Sequence, residues 1–258
     1  MNILVILKMV PDTVEELNVS ADGKSLDSEF LRFKLNDPDE HALEQGLILK
    51  EKIGGKVTVI ALDAPEVDDV LYTALAKGAD RAVKIPVSQA GLGTKATAKV
   101  LSDFFSSGAG AVTPDTLVLV GTYAIDDLEG ELAPMLAVHL GLPYLGVVSS
   151  VAASGNGLIV QKEFAGGLRG EFEVELPAVL GIQSAEKPPR YVPVAKVRAV
   201  MKSAKIDEVE IPAPTDTVCL DVQRSYKPEA AGRAEIFEGS PEEVADKIVD
   251  ALAKSGVI

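Results

Sequence analysis

The chain is predicted to fold as an α/β protein whose mostly parallel, doubly wound sheet sits between two helical layers, with an appended hairpin and a C-terminal arm. Three observations predict it. Short runs of Val, Ile and Leu alternate with stretches of helical period through the first 150 or so residues. The runs are apolar at successive positions rather than at alternate ones, as strands are when both faces of a sheet are covered. Beyond residue 151 the alternation stops and the pattern becomes that of antiparallel strands.

The first strand is NILVILK, residues 2–8, and the next helix spans 39–53, with Ala42, Gly46, Leu49 and Ile53 on one stripe. KVTVIALD (56–63) is the second strand, followed by a helix over 66–78 that aligns Val67, Val70, Leu71 and Ala74. RAVKIP (81–86), a helix over 95–105, DTLVLVG (115–121), a helix over 131–140 and LPYLGVVSSV (142–151) complete five strands and four helices. Right-handed crossovers between such strands place ligands beyond their carboxyl ends. GLIVQKEF (157–164) and EFEVELPAVLGI (171–182), joined by the AGGLRG turn, read as an antiparallel hairpin.

The run from Leu176 to Met201 changes character twice. It starts as a buried strand, stiffens through Pro188, Pro189 and Pro193, and ends as a basic amphipathic helix carrying Lys196, Arg198 and Lys202. Residues 205–228 read as extended. Ser240-Pro241-Glu242-Glu243 then supplies an N-cap, a first-turn proline and a capping-box glutamate for a helix reaching about residue 254, with Val244, Ile248 and Leu252 on one face. The expected organisation is an α/β domain over 1–185 that includes the 157–182 hairpin, a presenting loop and helix over 186–204, and an arm over 205–258.

Composition narrows the function. Twenty-five basic against 39 acidic residues give a net charge of −14, which repels nucleic acid and anionic membranes. The longest N-terminal apolar run, residues 3–7, is too short for a signal peptide or a membrane span, so a cytoplasmic address without membrane insertion is expected. One cysteine, Cys219, and two histidines, His41 and His139, cannot build an iron–sulfur cluster or an ordinary zinc site. Any redox chemistry must be carried by an organic cofactor. The histidines lack HExxH spacing and read as surface or cap residues; Cys219 reads as a buried or incidental thiol. No nucleophile elbow, GxGxxG or GxxxxGK[ST] motif is present. No catalytic constellation emerges.

Four loops at the carboxyl edge remain: 8–13, 35–45, 62–65 and 121–133. Together they suffice to enclose an adenosine-sized ligand, with backbone groups reading the base and a helix N-terminus facing phosphate. The alternative is that they are ordinary polar turns and helix caps.

Five segments, ILVILKMVPDT, LNDPDEHALEQGLILKE, TALAKGADRAV, GTYAIDD and LPAVLGIQSAEKPPRY, resemble the β subunit of electron transfer flavoproteins, and the similarity covers nearly the whole chain. The resemblance implies a nucleotide-binding, HUP-like three-layer domain paired with an α subunit that holds most of the redox-active FAD. In that family the β subunit itself carries AMP, or a second FAD in electron-bifurcating members. Carried over, the nucleotide contacts are Ile6, Asn36, Asp37, Pro38, Asp39, Leu62, Asp63, Gly121, Thr122, Tyr123, Ala124, Ile125, Asp126, Glu129, Gly130, Glu131 and Leu132.

The chain departs from the family at the end of that set. Where small, amide and hydroxyl residues usually hold phosphate, it has Asp127-Leu128-Glu129-Gly130-Glu131. A like charge about 4 Å away costs about 4 kcal/mol at an effective dielectric of 20, more than the roughly 0.5 kcal/mol a helix N-terminus returns. The alternative is that Glu129 and Glu131 face solvent and backbone amides alone hold the phosphate.

The resemblance also implies a partner-recognition loop. Its apolar anchor, which docks on an acyl-CoA dehydrogenase-type partner, corresponds to Val194, with Arg190, Tyr191, Pro193 and Lys196 around it. The alternative there is a plain linker with Val194 packed inside. The expected function is that of an electron-carrier subunit, without catalytic residues, passing electrons from a flavin dehydrogenase to an acceptor such as a quinone reductase. A stand-alone adenine-nucleotide sensor and a bifurcating β subunit are the alternatives.

Overall fold

Nine strands form one sheet in the order β11-β5-β4-β1-β6-β10-β7-β8-β9 in the computed structural model, which describes residues 1–29, 31–127, 130–155, 157–215, 222–228 and 234–258. In chain order the elements are β1 (Asn2–Leu7), β2 (Met9–Pro11), β3 (Phe33–Leu35), α1 (Asp37–Ile53), β4 (Lys56–Asp63) and α2 (Val67–Lys77). There follow β5 (Arg81–Ser88), α3 (Thr94–Ser106), β6 (Thr116–Gly121), α4 (Leu132–Leu140), β7 (Tyr144–Ser154), β8 (Gly157–Glu163) and β9 (Arg169–Val174). β10 (Ala178–Ile182), α5 (Val194–Ser203), β11 (Asp207–Glu208) and α6 (Pro241–Lys254) complete the list. The chain divides into two units, Met1–Arg224 and Ser225–Ile258.

From β11 to β7 every pairing is parallel; β8 and β9 add antiparallel to the β7 edge. The period of two in β1 shows why the sheet needs helices on both sides. Ile3, Val5 and Leu7 pack with Leu43 and Leu47 of α1 and Leu71 of α2. Leu4 and Ile6 pack on the other face with Leu101 and Phe104 of α3 and Leu136 of α4. The result is the expected three-layer, doubly wound fold.

Two local expectations are revised. The hairpin ends at Val174, pairing Leu158 with Val174 and Glu163 with Arg169, while residues 178–182 leave it altogether. They form β10, inserted parallel between β6 and β7. All five β10 residues are buried, and such a strand requires cover on both faces, which an edge hairpin cannot give. Pro177 marks the break, since it has no N–H to continue the β9 ladder. The second revision concerns loops 8–13 and 35–45: Met9–Pro11 and Phe33–Leu35 pair as a small antiparallel sheet of their own.

The extended reading of 205–228 holds in part. Asp207 and Glu208 add to the free edge of β5, and Ile211 is buried. Cys219 lies outside the described residues. In the second unit, Ser240 caps α6 through the expected capping box: its hydroxyl accepts from Glu243 N at 3.3 Å, and its own N–H donates to Glu243 Oε2 at 2.9 Å. No α6 residue is buried, and Ile248, Val249 and Leu252 are exposed on it. Among the described residues, no helix is long and apolar enough to cross a membrane, and no cluster of His, Cys, Asp and Glu has the makings of a metal site.

Candidate functional site

The chain leaves β1 toward β4 on one side and later enters β6 on the other, so the order reverses at β1 and opens a crevice beyond Leu7 and Gly121. The first turn of α1 lies across it. Asp39 Oδ2 accepts from Lys8 N at 3.0 Å and from Asn36 Nδ2 at 3.2 Å, and its Oδ1 accepts from Gly121 N at 2.7 Å. One carboxylate thus ties the ends of β1 and β6 to α1. Burial pushes Asp39 up to about 7, against the pull of these three N–H donors and of the Lys8 charge.

Asn36, only 1% exposed, sets the polarity of the crevice. Its Nδ2 donates to Asp39 and to Tyr123 O, the latter at 2.9 Å, and two acceptor partners leave no doubt which end is the amide nitrogen. Its Oδ1 is then a buried acceptor without a donor among the described residues. Such a group calls for a donor from outside the chain, and an exocyclic amino group of a base is of that kind.

The opposite end of the crevice is acidic. Lys8 Nζ donates to Asp126 Oδ1 at 2.7 Å, and Thr94 Oγ1 to Asp127 Oδ1 at 2.7 Å. Glu131 is the N-cap residue of α4, exposed and making no side-chain cap, which agrees with a solvent-facing glutamate. Pro134 in the first turn of α4 removes one N–H from the helix N-terminus. A buried acceptor at Asn36 and the carboxylates of Asp126 and Asp127 thus lie within one run of the 121–127 loop and the α1 turn that it meets.

The remaining expected contacts fall into three groups. Ile6 and Leu62 are buried, with side chains in the α3–α4 core, so only their backbone is free to meet a ligand. Pro38 and Ala124 are also buried, and Thr122, Gly130 and Leu132 are intermediate. Asp37, Asp63, Tyr123, Ile125 and Asp126 are exposed, and Glu129 lies outside the described residues. The sequence reading missed Lys8, which closes the acidic end, and Gln89, whose side chain donates to Met9 O at 2.6 Å and accepts from Met9 N at 3.2 Å. Lys8 was detectable as the cation directly after the first strand.

Gly121 is required here by space. A Cβ on it would collide with the Asp39 carboxylate and Pro38. Gly121→Ala is expected to destabilise the protein by about 1–3 kcal/mol, read as a lower urea midpoint at unchanged slope.

The presenting loop and helix lie apart from this crevice in sequence. Pro193 is the N-cap residue and Val194 the first residue of α5. Tyr191 is 84% and Val194 60% exposed; Pro193 and Lys196 are exposed too. Val194 is therefore not packed inside. Arg190 differs from its neighbours: its guanidinium is engaged by Glu44 and Glu51 of α1, which hold it above its ordinary range.

Comparison with known proteins points one way. The electron transfer flavoprotein domain matches residues 28–215. The electron transfer flavoprotein subunit beta of Thermoanaerobacterium thermosaccharolyticum is 32% identical over the full length of both chains. That of Methylophilus methylotrophus is 30% identical over 98% of each. A subunit of the caffeyl-CoA reductase-Etf complex of Acetobacterium woodii is 30% identical, again over the full length of both.

Proposed function

The chain belongs to the electron transfer flavoprotein β subunit family, and we propose that it is the β chain of a cytoplasmic heterodimer relaying electrons from acyl-CoA dehydrogenase-type flavoenzymes to an acceptor such as a quinone reductase. The observation that carries the reading is the exposed Tyr191–Val194 pair at the head of a helix bearing Lys196, Arg198 and Lys202, on a chain whose net charge is −14. An apolar anchor beside local positive charge suits an acidic docking surface. FAD is held mainly by the α subunit, and its isoalloxazine supplies the redox chemistry. This chain supplies surface and orientation, with no catalytic residue of its own. The exposed apolar face of α6 suits contact with the α subunit.

Co-expression tests the reading. The chain is expected to be colourless alone and to acquire flavin absorbance only with an α subunit, and the heterodimer is expected to be reduced by an acyl-CoA dehydrogenase acting on its acyl-CoA. A chain that ignores any α subunit yet binds AMP saturably is instead a nucleotide sensor.

The crevice leads to a separate expectation about cofactor content. Asn36 Oδ1 favours an adenine amino group, while Asp126 and Asp127 disfavour phosphate. Analysis of the purified heterodimer is expected to give one FAD per αβ pair and AMP well below one. Two FAD per pair would overturn the charge argument and identify a bifurcating subunit.

A further inference from the structure

Between β10 and α5 the chain runs without regular structure, and Pro188, Pro189 and Pro193 bring no N–H groups to it. Gln183 and Ser184 donate to Val148 O of β7, and beyond them one flank of α1 holds the segment. His41 Nδ1 accepts from Ala185 N at 3.1 Å, Gln45 Oε1 from Glu186 N at 3.1 Å, and Glu44 Oε2 from Arg190 N at 2.9 Å. Positions 41, 44 and 45 share a helix face by the i, i+3, i+4 rule, so three loop amides end on one stripe.

Glu44 is the centre of the stripe. Its carboxylate is 4% exposed and also accepts from Arg190 Nε, at 3.1 and 3.0 Å to its two oxygens, and from Arg190 Nη2 at 2.9 Å. Arg190 Nη1 donates to Glu51 as well. A buried carboxylate is tolerated only when paired and fully hydrogen-bonded, and the planar fork of Arg provides that geometry where Lys does not. The charge stored on α1 therefore dictates where Arg190 must lie, and Val194 follows four residues later.

We propose that Glu44, acting through Arg190, is a positioning residue for partner docking: the ion pair on its buried carboxylate latches the 185–193 segment to α1 and so holds Val194 out at the surface in a binding-ready place. The proposal rests on Val194 being the docking anchor. Arg190, expected beside the anchor, gives its Nε and Nη2 to Glu44.

The test uses the αβ heterodimer as electron acceptor for an acyl-CoA dehydrogenase reduced by its acyl-CoA. Glu44→Gln is expected to raise KM for the heterodimer about tenfold with kcat changed less than twofold. Amide exchange at Ala185, Glu186 and Arg190 is expected to accelerate while exchange in β1, β4 and β6 stays as it was. Arg190→Lys keeps Glu44 paired and is expected to show a smaller rise of the same kind, which covers the case of a Glu44 variant that fails to fold. Combining Glu44→Gln with Val194→Ala is expected to be no worse than Val194→Ala alone, since both act on one anchor. A raised KM for Val194→Ala with an unchanged KM for Glu44→Gln and Arg190→Lys overturns the latch and leaves the docking reading standing. An unchanged KM in all variants overturns the docking reading itself, and the latch's role with it.

Discussion

Val194→Asp is expected to lower kcat/KM for electron transfer from an acyl-CoA dehydrogenase to the heterodimer by about 30-fold or more, the loss of one interface hot spot of about 2 kcal/mol. The substitution removes an apolar anchor that is 60% exposed and puts a carboxylate where the proposed partner surface is acidic. The fold is expected to tolerate it. Val194 is the first residue of α5, whose first turn contains no acidic residue, and an acid at that position suits the helix dipole. Folding stability should stay within about 0.5 kcal/mol of the parent, as for surface changes generally, and FAD content should be unchanged. Kinetics and flavin absorbance on the same preparation decide it. A drop of less than twofold would remove Val194 from the interface.

The largest effect on the fold is expected from Asp39→Ala. The change leaves Lys8 N, just beyond β1 and half-buried, Gly121 N at the buried end of β6, and one Asn36 Nδ2 hydrogen without their acceptor. At about 1–3 kcal/mol for each unsatisfied buried group, the loss near pH 5 should be at least about 3 kcal/mol. Its pH dependence carries a sign. The folded protein holds the Asp39 proton up to about pH 7, whereas the unfolded chain releases it near 3.8. Between those values the folded state binds more protons, so parental stability falls as pH rises, by about 1.4 kcal/mol per pH unit at most. The alanine variant lacks this slope. The penalty of the substitution should therefore shrink from pH 5 to pH 8, as measured by urea denaturation of the two proteins. Parallel curves would show that the three N–H donors outweigh burial and that Asp39 titrates in the ordinary carboxylate range.

Much of this architecture was legible in the residues. NILVILK, KVTVIALD and DTLVLVG lie side by side as β1, β4 and β6, and the SPEE motif caps a helix as its spacing implied. These features are local: a period of two or 3.6, a run of apolar residues, a cap three residues from its partner. The position of residues 178–182 was not legible, because their apolar run suits a hairpin edge and a sheet interior equally until competing strands decide which face needs cover. At the site, residues 8, 36, 39, 121 and 123 meet through hydrogen bonds whose partners the sequence does not announce. Asp39 ties strand ends, Lys8 is already paired with Asp126, and Ile6 and Leu62 turn their side chains into the core.

The class of fold and the family could be read from the residues alone. The tertiary structure was needed to see that Glu44 and Arg190, 146 residues apart, share one ion pair around a buried carboxylate, and that the Asn36 acceptor has no partner among the described residues. The physical reason is the same in both cases. Hydrophobic period is written in neighbouring residues, whereas the partner of a buried polar group is chosen by what the fold brings within hydrogen-bond reach and screens from water.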